Sequence, residues 1–250
     1  MPRGAGGSSC AMRRGCRGAE STPSGRNSSL GGRCWHDAVV PTGSYLHVDP
    51  VEGSPVAVEE FSCAAGPVGW RYVATVHDPD GRQTGGIDLT LDGGGRQVRL
   101  VVTAGGWELR GGVAGRETLW VRRPAGPGGR DGGAAGPGAV ERAEVAAGFA
   151  GRSPAFLVAA ARLLRLAAGS RARLRLVEVA DPALGTRVVE QGWSLDAVTS
   201  YPTETGPLPL ARYRVTDLSI GEARVVHLAG DVVVAAPGLE LAALHSPPTL

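Results

Sequence analysis

Ser153, Asp217 and His227 stand in the order that α/β-hydrolases use for a nucleophile, an acid and a base. Ser153 lies in Gly151-Arg152-Ser153-Pro154-Ala155, between a strand-like segment (residues 140–147) and an apolar run. That is the setting of a nucleophile elbow. In such a site Ser153 attacks, His227 takes its proton and Asp217 orients the imidazole. Two features oppose it. Position 155 is Ala where the motif carries its second Gly. The fold also needs repeated strand–helix units, and the chain shows a single helical pattern. Ser followed by Pro reads equally well as a helix start, with Ser153 as N-cap and Pro154 at N1.

Other constellations are sparser. The five His are scattered, with none at i,i+2 or i,i+4 from another. The four Cys (Cys10, Cys16, Cys34, Cys63) form no C-x-x-C pair and are followed by no His at a zinc-finger interval. Asp217 and Asp231 stand beside turns, where Asp is ordinarily a cap. All 26 basic residues are Arg, which excludes a lysine Schiff base, a pyridoxal anchor and a P-loop lysine. The Gly/Pro-rich stretch 124–138 is therefore a flexible loop and no phosphate cradle. No catalytic residue, metal or cofactor is expected. The aromatic residues carry the ligand argument. Trp107, Trp120, Trp193 and Tyr213 fall in strand-like segments. Such rings either pack a core or line a curved sheet that encloses an apolar chain or a sugar.

These side chains need elements to hold them. Residues 70–77 alternate Trp70, Tyr72, Ala74 and Val76 against Arg71, Val73, Thr75 and His77. Asp78-Pro79-Asp80-Gly81 turns the chain, and Asp92-Gly93-Gly94-Gly95 turns it again. Between them Ile87, Leu89 and Leu91 share a face; beyond them Val98, Leu100 and Val102 do the same. Thr118, Trp120 and Arg122 alternate in a later segment. The apolar run 154–168 is a nearly buried helix that Gly169 would end, with Arg162 and Arg165 on one edge. Further strands follow to residue 244. About ten short strands joined by hairpin turns predict a mainly β, antiparallel sheet that closes or half-closes around this helix.

Residues 1–33 carry a net +5, so the rest of a +2 chain carries −3. The folded part thus offers no basic stripe for nucleic acid. Residues 1–55 are rich in Gly, Ser and Arg and read as a disordered basic tail; residues 56–245 read as one β-rich domain. The start lacks the apolar centre of a signal peptide, and no run of 18 apolar residues occurs, so a cytoplasmic protein that does not span a membrane is expected.

The order of several short motifs resembles a bacterial glycolipid-binding family. They are Gly105-Gly106-Trp107-Glu108-Leu109, then Ser153-Pro154-Ala155 leading to Ala161-Arg162-Leu163-Leu164-Arg165-Leu166. Asp181-Pro182-Ala183-Leu184, Gln191-Gly192-Trp193, Arg212-Tyr213 and Ala236-Pro237-Gly238-Leu239 follow. The resemblance covers about half of the chain. It implies an incompletely closed β-barrel, similar to the half-barrels of bacterial lipoprotein carriers that hold acyl chains. This chain departs from the family where Phe156-Leu157-Val158 replace a polar Thr-Asn-Thr, where Gly148-Phe149-Ala150-Gly151 replace a Cys and paired Asp, and where Ala236 replaces a Tyr. The resulting expectation is non-enzymatic binding of a lipid-like or glycolipid-like amphipathic molecule. Trp107, Trp120, Phe156, Trp193 and Tyr213 would line the cavity, and Arg162 or Arg165 would meet an anionic head. A scaffold module that pairs through a free sheet edge, and the Ser153 hydrolase, remain the alternatives.

Overall fold

The computed structural model describes residues 40–66, 69–126, 138–204 and 206–250. Most of the expected tail (residues 1–39) and most of the expected Gly/Pro loop (residues 127–137) lie outside the described residues. The strands are β1 (Thr42–Val48), β2 (Pro55–Gly66), β3 (Gly69–His77), β4 (Gln83–Asp92), β5 (Gln97–Ala104), β6 (Trp107–Ala114), β7 (Glu117–Pro124) and β8 (Val140–Val145), then β9 (Phe149–Ala150). Helix α1 (Pro154–Leu164) follows. The chain continues through β10 (Arg171–Ala180), β11 (Gly185–Thr203), β12 (Gly206–Asp217), β13 (Ala223–Ala229), β14 (Val232–Ala236) and β15 (Leu239–Leu244).

All fifteen strands belong to one sheet, in the order β8 to β1, then β15 down to β9. Neighbours in the sheet pair antiparallel throughout, except that β9 and β10 pair parallel across α1. The first and last strands pair with each other, so the sheet's two edges are β8 and β9, which are consecutive in the chain. The link between them ties the edges together without closing the ladder. The Thr118 hydroxyl of β7 donates to Ala146 O (2.9 Å), and Ala147 N donates to Arg175 O of β10 (2.8 Å). The result is a mainly β, incompletely closed barrel, as its strand patterning predicts.

Period-two alternation fills the interior. Trp70, Tyr72 and Ala74 of β3, Ile87, Leu89 and Leu91 of β4, and Val226 and Leu228 of β13 are buried. The rings of Tyr45, Phe61 and Tyr72 stack in series across β1–β3, at centroid spacings of 4.8 and 5.6 Å. The helix plugs the centre, with every residue from Pro154 to Ala161 buried. Asp92 builds the β4–β5 turn as its sequence implies, with its carboxylate accepting from Gly94 N (2.9 Å) and Arg96 N (2.8 Å).

Three expectations need correction. The fold begins before residue 56: residues 42–48 form β1, between β2 and β15. Its inward positions are Gly43, Tyr45 and His47, so it carries no apolar alternation to read. The helix ends at Leu164, a turn before Gly169, because Arg165 takes the left-handed conformation (φ 44°) as C-cap. The β4–β5 turn lies across that end; the Arg165 guanidinium donates to Gly93 O (2.5 Å). Third, Val98 does not share a face with Leu100 and Val102. A bulge opposite Thr90 and Leu91 turns Val98 outward and buries Gln97. The Gln97 amide then brackets Phe149 of β9, donating to its carbonyl (3.0 Å) and accepting from its N–H (2.8 Å).

Leu89 is fully buried in the centre of this sheet. Leu89→Ala is expected to lower the unfolding free energy by about 2–5 kcal/mol, read as a lower urea midpoint with an unchanged slope.

Candidate functional site

One cavity lies at the end of the barrel where the helix begins. It has a volume of about 690 Å³ and opens between the ends of β1, β3, β5 and β10, the starts of β2 and β4, and the first turn of α1. Ile87, Val102, Phe156 and Val179 give it an apolar wall. Two glycine pairs border it. Gly85-Gly86 and Gly105-Gly106 all line the cavity, and the strand pairing sets Gly85 opposite Ala104 and Gly86 opposite Thr103. A Cβ at Gly85 would stand 2.4 Å from Thr103 O, so no larger residue fits there.

The floor is polar. Glu59 of β2 is 1% exposed, and its two carboxylate oxygens receive three side-chain donors. His47 Nε2 lies 2.8 Å from Oε2; the Tyr72 hydroxyl (2.9 Å) and the Ser153 hydroxyl (2.6 Å) both donate to Oε1. A carboxylate this deeply buried would be costly alone, and these charge-assisted bonds offset that cost. Burial, with the Glu59 charge next in effect, pushes the Tyr72 phenol well above its ordinary range, so it stays a donor. Asp181 sits at the rim, where dehydration raises its carboxyl despite the opposing pull of Arg152 and His47. Arg82 and Arg152 also reach the mouth, on exposed positions.

Each group is placed by simple local structure. His47 and Glu59 face inward from antiparallel neighbours β1 and β2, two positions out of register with one another, since His47 pairs with Ala57. Tyr72 follows from the alternation of β3. Ser153 is the N-cap of α1, its hydroxyl accepting from Ala155 N (3.3 Å) while donating to Glu59.

Of the seven residues expected to contact ligand, Phe156 alone belongs to this cavity's wall. Trp120 packs edge-on against Phe149 (6.1 Å), and Trp193 against Tyr213 (5.7 Å), all four buried in the core. Trp107 lies just past Gly106, with the Arg122 guanidinium 3.5 Å above its ring. Arg162 and Arg165 stand at the far end of α1, about 12 Å and about 16 Å along its axis from Pro154. Arg162 lies over Trp70 (5.4 Å). The structure therefore does not gather these residues into one site.

It does not assemble the hydrolase either. Asp217 binds Ser219 N (2.9 Å) in the β12–β13 turn. His227 pairs with Arg212, five residues up the same hairpin from Asp217. Ser153 faces Glu59 instead. His47, Glu59 and Tyr72 escape notice in the sequence because they stand 12 and 13 residues apart on three strands. The glycine doublets before Ile87 and Trp107 are the one signal that could have marked the cavity. A second buried acid, Asp231, accepts from Trp70 Nε1 (3.3 Å) and Thr249 N (2.8 Å) and serves packing elsewhere.

No helix among the described residues is long and apolar enough to cross a membrane, and no group of three or more His, Cys, Asp or Glu among them could hold a metal ion. No family model matches this chain, and no curated protein matches it. Among solved structures, the crystal structure of a DUF1089 family protein from Pseudomonas aeruginosa aligns with 88% of this chain and 100% of that one. The two are 18% identical, with a TM-score of 0.45, too distant to carry a function across.

Tyr72→Phe removes one donor from Glu59 without changing ring packing. It is expected to cost about 1–3 kcal/mol of stability while the far-ultraviolet circular dichroism stays that of the wild type, measured by denaturant titration.

Proposed function

We propose that the chain binds a lipid-like or glycolipid-like amphipathic molecule in the cavity at the helix start. The observation that carries this is the pairing of an apolar wall with a polar floor in one open space. Ile87, Val102, Phe156 and Val179 suit a hydrocarbon chain. His47, Glu59, Ser153 and Asp181 suit a polar group. The volume of about 690 Å³ falls within the usual range of small-molecule sites, and limits the guest. At about 30 Å³ per water-sized group, it holds on the order of twenty non-hydrogen atoms. That favours a single short chain with a small head over a two-chain lipid.

Phe156 lines this space, as Glu59 does, so enlarging Phe156 tests the reading. Octyl glucoside below its micelle concentration is expected to raise the Tm of the wild type. Phe156→Trp, which fills the wall, is expected to bind at least tenfold more weakly. A wild-type protein that emerges from mild purification with a clean apo mass, and whose Tm does not respond to the detergent, would refute the proposal.

A further inference from the structure

The cavity floor has a feature that binding alone does not use. His47 is 3% exposed, forms part of the cavity wall, and has its Nε2 fixed on Glu59 Oε2 at 2.8 Å. The Tyr72 and Ser153 hydroxyls both donate to Glu59 Oε1, which leaves Oε2 to the His47 ring alone. With Glu59 Oε2 as the acceptor, Nε2 carries the proton and the lone pair sits on Nδ1. No hydrogen bond from the described residues reaches Nδ1. A carboxylate that orients one imidazole nitrogen while leaving the other bare is the arrangement that makes histidine a general base. The carboxylate is itself held from two further elements, β3 and the α1 N-cap, so the ring is locked in place.

We infer that the cavity is a general-base site in which His47 Nδ1 removes a proton from a bound apolar molecule that carries an acidic C–H or O–H. Glu59 is a positioning residue that stabilises the imidazolium, and Tyr72 and Ser153 position Glu59 in turn. This departs from the expectation of a purely non-enzymatic carrier, and it rests on the cavity admitting an amphipathic guest.

The probe is 5-nitrobenzisoxazole, small and largely apolar. Nδ1 takes its C3 proton. The C–H electron pair becomes the third C–N bond as the ring N–O bond breaks, and the phenolate oxygen keeps that pair. The imidazolium then returns the proton to water. The full-length protein is expected to open the ring with saturation kinetics, faster than free imidazole at equal concentration, and octyl glucoside is expected to inhibit competitively. His47→Gln, which keeps a donor toward Glu59, and His47→Ala should each lose at least tenfold in kcat. Added imidazole should restore part of the rate to His47→Ala, which a merely structural role would not do. Glu59→Gln should lower kcat with KM nearly unchanged. If the probe raises the Tm and octyl glucoside displaces it, yet wild type turns it over no faster than His47→Gln, the base assignment falls and the binding proposal stands. If the probe and the detergent both fail to bind, the two fall together. Inhibition by octyl glucoside in the wild type needs no variant to fold.

Discussion

The structure depends on one buried anion. Glu59 points into the barrel, and three elements converge on it: β1 through His47, β3 through Tyr72, and the start of α1 through Ser153. Removing any one partner leaves the others holding a carboxylate that is 1% exposed, which is the expensive half of a buried ion pair. The constraint runs both ways. The helix must enter the barrel with its N-cap over Glu59, and β1 must keep the register that sets His47 within reach. A cavity beside such a cluster is therefore rigid on its polar side, and only its apolar side can adapt to a guest.

Topology explains why the cluster could form. The sheet's first and last strands pair, so the chain's natural break falls between β8 and β9 and not at the termini. Helix α1 enters the interior directly after β9, the edge strand on one side of that break. An antiparallel meander leaves its strand ends at two rims, and the helix enters at one of them. The far rim is closed by Arg165 on the β4–β5 turn and by the Asp231 cluster. The near rim stays open, and Gly85, Gly86, Gly105 and Gly106 border its opening.

The sequence reveals much of this frame and little of the site, for reasons visible in single residues. Leu89 and Leu91, or Trp70 and Tyr72, announce strands because alternation is local and buried apolar residues obey it. Val98 misleads because a bulge changes the phase by one residue, and Gln97 takes the inward place for a hydrogen-bonding reason that periodicity cannot express. β1 is hidden because two of its inward residues are a Gly and a His whose value lies in partners elsewhere. The Trp residues of β7 and β11 draw attention by size, yet a large ring on the inner face of a curved sheet mostly serves packing. Glu59 reads as one acid in a pair of ordinary glutamates, Glu59 and Glu60, and only strand pairing decides which one is buried.

Ser153 shows how closely the site and the fold share their parts. As N-cap it must accept a hydrogen bond from the first turn, and as a neighbour of Glu59 it must donate one. A hydroxyl does both at once. Asp, an equally good cap in isolation, would set a second carboxylate against the first. Ala would leave both an orphan N–H and an undersupplied anion. The Ser-Pro pair that looks like half of a nucleophile elbow is accounted for by these two bonds. The hydroxyl proton points at a carboxylate that His47 also binds, and not at an imidazole lone pair. Serine nucleophilicity would need that order reversed, with the ring between Ser153 and the acid. The geometry instead gives the free lone pair to the histidine, which is why any chemistry in this cavity starts there.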